Sequence, residues 1–134
     1  RVFSMVPEPN KILMVEDEAD IQIVAKLALE SVGNFTVHIC SSGSDAVAEL
    51  PGFDPDIILL DVMMPGMDGP DTFKAIRRLG GYESLPIIFM TAKVMETDRE
   101  YYHSLGASGV IAKPFDPMTL SDQIREIWNQ HHGR

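Results

Sequence analysis

The sequence predicts an α/β fold: a single doubly wound (βα)5 domain built on a five-stranded parallel sheet. Two observations predict it. Four short, unbroken apolar runs are bounded by Pro, Gly or Asp, and amphipathic helical patterns fill the stretches between them. Strands buried on both faces of a parallel sheet have no need to alternate, so they read as continuous apolar runs of this length. Strand and helix alternating along the whole chain give the α/β class, with right-handed crossovers. At 134 residues the chain has the length of one domain with one substantial core.

The elements follow in order. Residues 12–15 (ILMV) are the first strand. Ile21, Val24, Ala25, Ala28 and Val32 then fall at i, i+3, i+4, i+7 and i+11, a helical stripe that Gly33 stops. Residues 36–40 (TVHIC) alternate, with Val37 and Ile39 on one side, the pattern of an edge strand. Ser44 is placed to cap a short helix containing Ala46, Val47 and Leu50, which Pro51 and Gly52 end. Residues 57–60 (IILL) form the third strand. Pro70 suits the first turn of a helix burying Phe73, Ile76 and Leu79, with Gly80 after it. Residues 87–90 (IIFM) form the fourth strand, and Val94, Tyr101, Tyr102 and Leu105 make the next stripe, closed by Gly106. Residues 110–112 (VIA) form the fifth strand. Asp116 and Pro117 open a last helix with Leu120, Ile124, Ile127 and Trp128 inward. Residues 1–10 carry Pro7 and Pro9 without periodicity and are read as an irregular N-terminal tail, with Met5 a candidate start. The domain spans 11–130, and 131–134 form a C-terminal tail.

Composition narrows the function. Hydrophobic residues are 45% and charged residues 23%, near the averages for a globular protein. No apolar stretch approaches the ~18 residues a membrane helix needs, and the first residues do not read as a secretory leader. Cys40 is the only cysteine, which leaves no disulfide framework and no cysteine metal site, and fits a reducing cytoplasm. The histidines at 38, 103, 131 and 132 lack zinc-ligand spacing. A net charge of −9 opposes direct nucleic-acid binding by this domain, because a phosphate backbone is repelled.

The chemistry gathers at the strand ends. Glu16 and Asp17 follow the first strand, Asp61 the third, Thr91 the fourth and Lys113 the fifth. All fall at the C-terminal edge of the sheet, where open α/β sheets bind ligands. Taken singly, each has an ordinary explanation. An acidic pair caps a helix, an Asp bonds nearby amides, a Thr hydroxyl ends a strand, and a Lys snorkels off the sheet. Met63, Met64 and Met67 fill core space more often than they do chemistry. Four strands of five ending in phosphate- or metal-handling residues make that joint explanation poor. Three crowded carboxylates repel one another unless a divalent cation joins them, and Mg2+ takes hard oxygen ligands of this kind. A carboxylate can then act as nucleophile toward a phosphoryl group, with a Lys and a hydroxyl stabilising charge on the phosphoryl oxygens.

With these residues placed, the sequence resembles response-regulator receiver domains of two-component signalling over residues ~11 to ~130. The matching segments are 12–18 (ILMVEDE), 61–69 (DVMMPGMDG), 86–92 (PIIFMTA), 106–109 (GASG) and 113–115 (KPF), of which the second and last are highly specific. The resemblance implies strand order 2-1-3-4-5. It implies Asp61 as the phosphoacceptor, Lys113 as phosphate partner and Thr91 as switch hydroxyl. It further implies Mg2+ held by Asp17, Asp61 and the backbone carbonyl of Met63, with Glu16 acting through water. A cis peptide at Lys113–Pro114 is also implied. The expected partners are a sensor histidine kinase or His-phosphotransfer protein and a downstream effector or output domain, with homodimerisation on phosphorylation compatible with the family. No enzymatic activity is expected beyond the domain's own phosphorylation and dephosphorylation.

Two departures bear on mechanism. Val110 stands where the family usually has a rotating Tyr or Phe, so only the Thr91 half of the usual relay carries over. Met63 and Lys93 occupy positions that tune phosphoryl lifetime. Three alternatives fit the residues less well. A flavodoxin-type flavin domain would want hydroxyls and amides after the first strand, where residues 16–18 (EDE) repel an anion. A phosphatase with an Asp nucleophile wants a second Asp where Met63 stands. A degenerate receiver would serve only as an interaction module, yet all five site residues are present.

Overall fold

The computed structural model describes residues 7–133; the candidate start at Met5 lies outside the described residues. Five strands, β1 (Lys11–Val15), β2 (Thr36–Cys40), β3 (Ile57–Asp61), β4 (Ile87–Thr91) and β5 (Gly109–Ala112), alternate with five helices. The helices are α1 (Ala19–Leu27), α2 (Gly43–Phe53), α3 (Gly69–Arg78), α4 (Glu96–Leu105) and α5 (Leu120–His131). The sheet is parallel throughout, in the order β2-β1-β3-β4-β5, as the resemblance implied. Every residue of β3 and β4 is buried, which is why those strands read as unbroken apolar runs.

Successive strand residues point to opposite faces, so each strand feeds two cores. Ile12, Met14, Ile57 and Leu59 pack with Leu29 of the α1 side and with Leu120, Ile124 and Trp128 of α5. Leu13, Leu60 and Phe89 pack on the other face with Leu50 of α2, Phe73 and Ile76 of α3, and Tyr102 of α4. Each core buries its side chains almost completely, and truncating one, such as Phe89 to Ala, carries a cost of about 3–5 kcal/mol. On β2, Val37 and Ile39 both turn to the first core, as the alternation predicts.

Several local expectations are corrected. In the first stripe Ala25 and Ala28 are buried, but Val24 and Val32 are 44% and 45% exposed and Leu29 takes the inward place. Leu29 holds the ordinary i+4 place after Ala25, and Val32 turns outward after a π turn over Ala28–Val32, closed by Gly33 N–H donating to the Ala28 carbonyl at 3.2 Å. That i→i+5 turn is wider than an α turn and shifts the phase of whatever follows it. In α2 the cap is Ser42, whose hydroxyl accepts from the Asp45 amide at 3.1 Å, and Ser44 lies inside the helix. Pro51 does not end α2. It sits in the final turn, where the missing N–H removes one bond only, and the helix runs on to a left-handed Asp54 with φ of 52°. Leu79 falls at the C-cap of α3 and is 44% exposed, whereas Phe73 and Ile76 are buried. In α4 only Tyr102 is buried, and Val94 precedes the helix. Asp116 holds a turn through its carboxylate to the Met118 amide, and α5 starts four residues later than Asp116 suggests.

The described ends of the chain lie against the domain. Asn10 and Lys11 both donate backbone N–H groups to Asp56 Oδ2 at 2.8 Å, Pro9 is buried, and Trp128 Nε1 donates to the Pro7 carbonyl at 3.1 Å. His131 is the last residue of α5, one beyond the expected boundary, and its ring meets the Ser84 carbonyl and the Ser108 hydroxyl. No helix among the described residues is long and apolar enough to cross a membrane.

Candidate functional site

The parallel register assembles the site. Val15 of β1 pairs with Leu60 of β3, so Glu16 and Asp61 follow as the next pair along adjacent strands. Glu16 prolongs the ladder on its other side, its N–H donating to the Cys40 carbonyl at 3.0 Å. Thr91 of β4 pairs with Ala112 of β5, and the Lys113 N–H donates to the Thr91 carbonyl at 2.9 Å. Neighbouring strands lie about 4.8 Å apart, so residues at equivalent strand ends come within side-chain reach.

The carboxylates of Glu16, Asp17 and Asp61 each offer an oxygen within 4.8 Å of the others. Lys113 reaches across from β5, its Nζ 2.7 Å from Glu16 Oε1 and 3.0 Å from Asp61 Oδ1. Glu16, Asp61 and Thr91 are buried, while Asp17 is exposed at the mouth. The Glu16 carboxylate is further held by the Glu18 amide, which donates to Oε2 at 3.1 Å. The Thr91 hydroxyl oxygen accepts from the Lys93 amide at 3.0 Å, leaving its own hydrogen to donate. Met63 lies in the loop after β3 with its side chain exposed. Val110 is half-buried on β5 against the core that holds Phe89 and Tyr102, and no aromatic side chain occupies that place. Lys113–Pro114 is a cis peptide, as expected.

Burial pushes the Glu16 carboxyl above its ordinary value and the Asp61 charge adds to the rise, with Lys113 and the Glu18 amide offsetting part of it. Burial alone would lower the Lys113 ammonium, but Glu16 and Asp61 outweigh it and hold the group above its ordinary value. Three carboxylates against one ammonium leave two negative charges when all are ionised. Glu16 Oε1 touches Lys113 yet lacks a hydrogen bond of proper geometry, an orphaned buried acceptor aimed into the cluster. A small divalent cation with oxygen ligands fits both facts.

One contributor had no sequence signal beyond its place in the 61–69 motif. A Cβ on Gly69 would lie 2.7 Å from both the Asp61 carbonyl and Val62 Cα, and the Gly69 N–H donates to the Val62 carbonyl at 2.9 Å. The first residue of α3 is thus pressed against the backbone that carries Asp61. Asp68 fixes that helix start by a reciprocal capping box with Asp71.

This fold and this edge define a class. Residues 12–125 match the family described as response regulator receiver domain, and the chain belongs to that family. It is 32% identical over 120 residues to response regulator Rre1 of Synechocystis, an alignment covering 90% of this chain and 52% of the relative; the chain spans about half of that protein's length. Among solved structures, the chemotaxis response regulator CheY4 of Vibrio cholerae superposes with a TM-score of 0.82 at 28% identity, covering 89% of this chain and 98% of that one. A putative response regulator from Chloroflexus aurantiacus gives 0.80 at 28% identity, covering 90% and 98%.

Proposed function

We propose that this receiver domain is a phosphoacceptor switch that takes a phosphoryl group onto Asp61 from a phosphohistidine of a sensor kinase or phosphotransfer protein. The observation that carries the reading is the buried Asp61 carboxylate at the end of the central strand, with Lys113 Nζ 3.0 Å from one oxygen and Glu16 and Asp17 beside it. In the reaction an Asp61 oxygen forms a bond to phosphorus while the phosphorus–nitrogen bond of the donor breaks. The imidazole keeps the electron pair and takes up a proton. Asp17, Asp61 and the Met63 carbonyl, with Glu16 beside them, would hold Mg2+, which when bound would neutralise charge on the phosphoryl oxygens. Lys113 adds a point charge and Thr91 a hydrogen-bond donor at the same oxygens, the main source of acceleration for so loose a transition state. An apolar hollow lined by Ile21, Val24, Pro114 and Phe115 beside Lys113 offers the donor protein a seat.

Once phosphorylated, Thr91 turns its hydroxyl toward the phosphoryl group and gives up its bond to the Lys93 amide, which moves the loop before α4. The half-exposed Tyr101 on α4 then belongs to the surface an effector or output domain reads.

Incubation with acetyl phosphate and Mg2+ tests the assignment by intact mass. One phosphoryl adduct is expected on the wild type and none on Asp61→Asn. Asp17→Ala should abolish the Mg2+ requirement's saturable phase, with Glu16→Gln weakening it less. An undiminished adduct on Asp61→Asn would overturn the reading.

A further inference from the structure

On β2, His38 and Cys40 are two apart and therefore share a face, the one turned toward α2. Across from them α2 presents Glu49. His38 Nε2 lies 2.5 Å from Glu49 Oε1. An imidazole nitrogen, the thiol sulfur and a Glu49 oxygen all fall within 4.8 Å of one another. Cys40 is buried, and the Glu49 carboxylate that meets His38 stands close enough to its thiol to act on it. An imidazole and a thiol thus converge on one carboxylate. The Phe53 ring lies against the imidazole with centroids 5.3 Å apart and limits its orientation, and Asp45 adds negative charge nearby.

We infer that His38, Cys40 and Glu49 form a second metal site, selective for a Zn2+-class transition ion and separate in its ligands and chemistry from the all-oxygen cluster at Asp61. The donor set decides the class. Nitrogen, sulfur and oxygen from three side chains suit zinc, whereas Mg2+ takes oxygen alone. Bond lengths of about 2.0–2.3 Å in a tetrahedral shell put ligand atoms roughly 3.5 Å apart. The His38–Glu49 pair must therefore open by about 1 Å and the other separations close by up to a similar amount. His38 and Glu49 side chains are 41% and 45% exposed and can rotate to do so. On binding, the sulfur–hydrogen bond breaks, a metal–sulfur bond forms and the proton passes to solvent. Three protein ligands leave the fourth position to water. The ion would clip the edge strand to α2, where the sheet otherwise ends in an unpaired strand.

Co2+ is the probe, because only a cysteine ligand gives a thiolate-to-cobalt absorption band and Cys40 is the only cysteine. Protein stripped with chelator and kept in excess Mg2+ should develop that band with one Co2+ per chain, and Zn2+ should bleach it. The band should persist in Asp17→Ala, which disables the oxygen cluster, and be absent in Cys40→Ser. His38→Ala and Glu49→Gln, both at exposed positions, should each weaken Co2+ binding at least tenfold with the fold intact by circular dichroism. Absence of the band in wild type, a band retained by Cys40→Ser, or undiminished affinity in both exposed variants would each overturn the site.

Discussion

Lys113 Nζ lies 3.0 Å from Asp61 Oδ1, although the two residues are 52 positions apart in the chain. The pair spans the sheet from β3 past β4 to the end of β5, and Glu16 completes it from β1 at 2.7 Å. Three strand ends therefore converge on one partly buried ammonium.

Replacing Lys113 by Met keeps most of the stem's packing and removes the charge. Phosphorylation by acetyl phosphate should slow about 100-fold, the usual effect of losing one preorganised electrostatic group. A time course of intact mass at saturating Mg2+ measures it. A rate within twofold of wild type would remove Lys113 from the chemistry.

The buried Glu16 makes a prediction about pH. Its carboxyl is raised above the ordinary 4.5, so in that region the folded state binds more protons than the unfolded one. Stability of the metal-free protein should therefore fall as pH rises from about 4.5 through the folded value. Glu16→Gln should flatten this slope and raise neutral-pH stability by about 1 kcal/mol, a residue of function exchanged for stability. Lys113 acts oppositely at the alkaline end: its contribution is complete below 10.5 and lost as pH climbs through its raised value. Urea unfolding in chelator at several pH values is the measurement. A variant as steep as wild type between pH 4 and 7 would contradict the Glu16 account.

Gly69 has no room for a methyl group, with the Asp61 carbonyl 2.7 Å from where a Cβ would sit. Gly69→Ala must push α3 away from the end of β3. The expected cost is about 1–3 kcal/mol, typical of overpacking, together with slower phosphorylation as Asp61 shifts. Urea titration and the acetyl phosphate assay report the two effects independently. Wild-type values in both would mean the loop yields freely.

The lifetime of the phosphorylated state rests on positions 63 and 93. Hydrolysis needs a water in line with the phosphoryl group, and the Met63 thioether, a weak acceptor, orients one poorly. Slow dephosphorylation is therefore expected. Met63→Asn with Lys93→Glu should place a water-orienting pair and speed decay about tenfold, or ~1.4 kcal/mol of barrier. Decay of phosphorylated protein after donor removal, at fixed Mg2+, is the readout. Unchanged decay would shift control to the loop backbone.

Much of this protein was legible in its sequence, for a physical reason. Strands buried on both faces leave continuous apolar runs, and residues 12–15, 57–60 and 87–90 name β1, β3 and β4 directly. The same runs end where polarity begins, so Glu16, Asp61, Thr91 and Lys113 could be assigned to one sheet edge before any coordinates. The resemblance added the strand order, which makes β1 and β3 neighbours. Local phase was less legible. The π turn after α1 turned Val32 outward, because an i→i+5 bond resets a periodicity counted at 3.6. Ser42 rather than Ser44 capped α2, and Pro51 was absorbed in its last turn, since capping depends on where backbone amides point. Distance and burial were decided by tertiary structure alone. Which oxygen of Asp61 meets Lys113, why Glu16 resists ionisation, why Gly69 admits no side chain, and that Glu49 faces His38 and Cys40 all follow from packing between elements far apart in the chain, and contacts of that kind leave no pattern in the residues on either side.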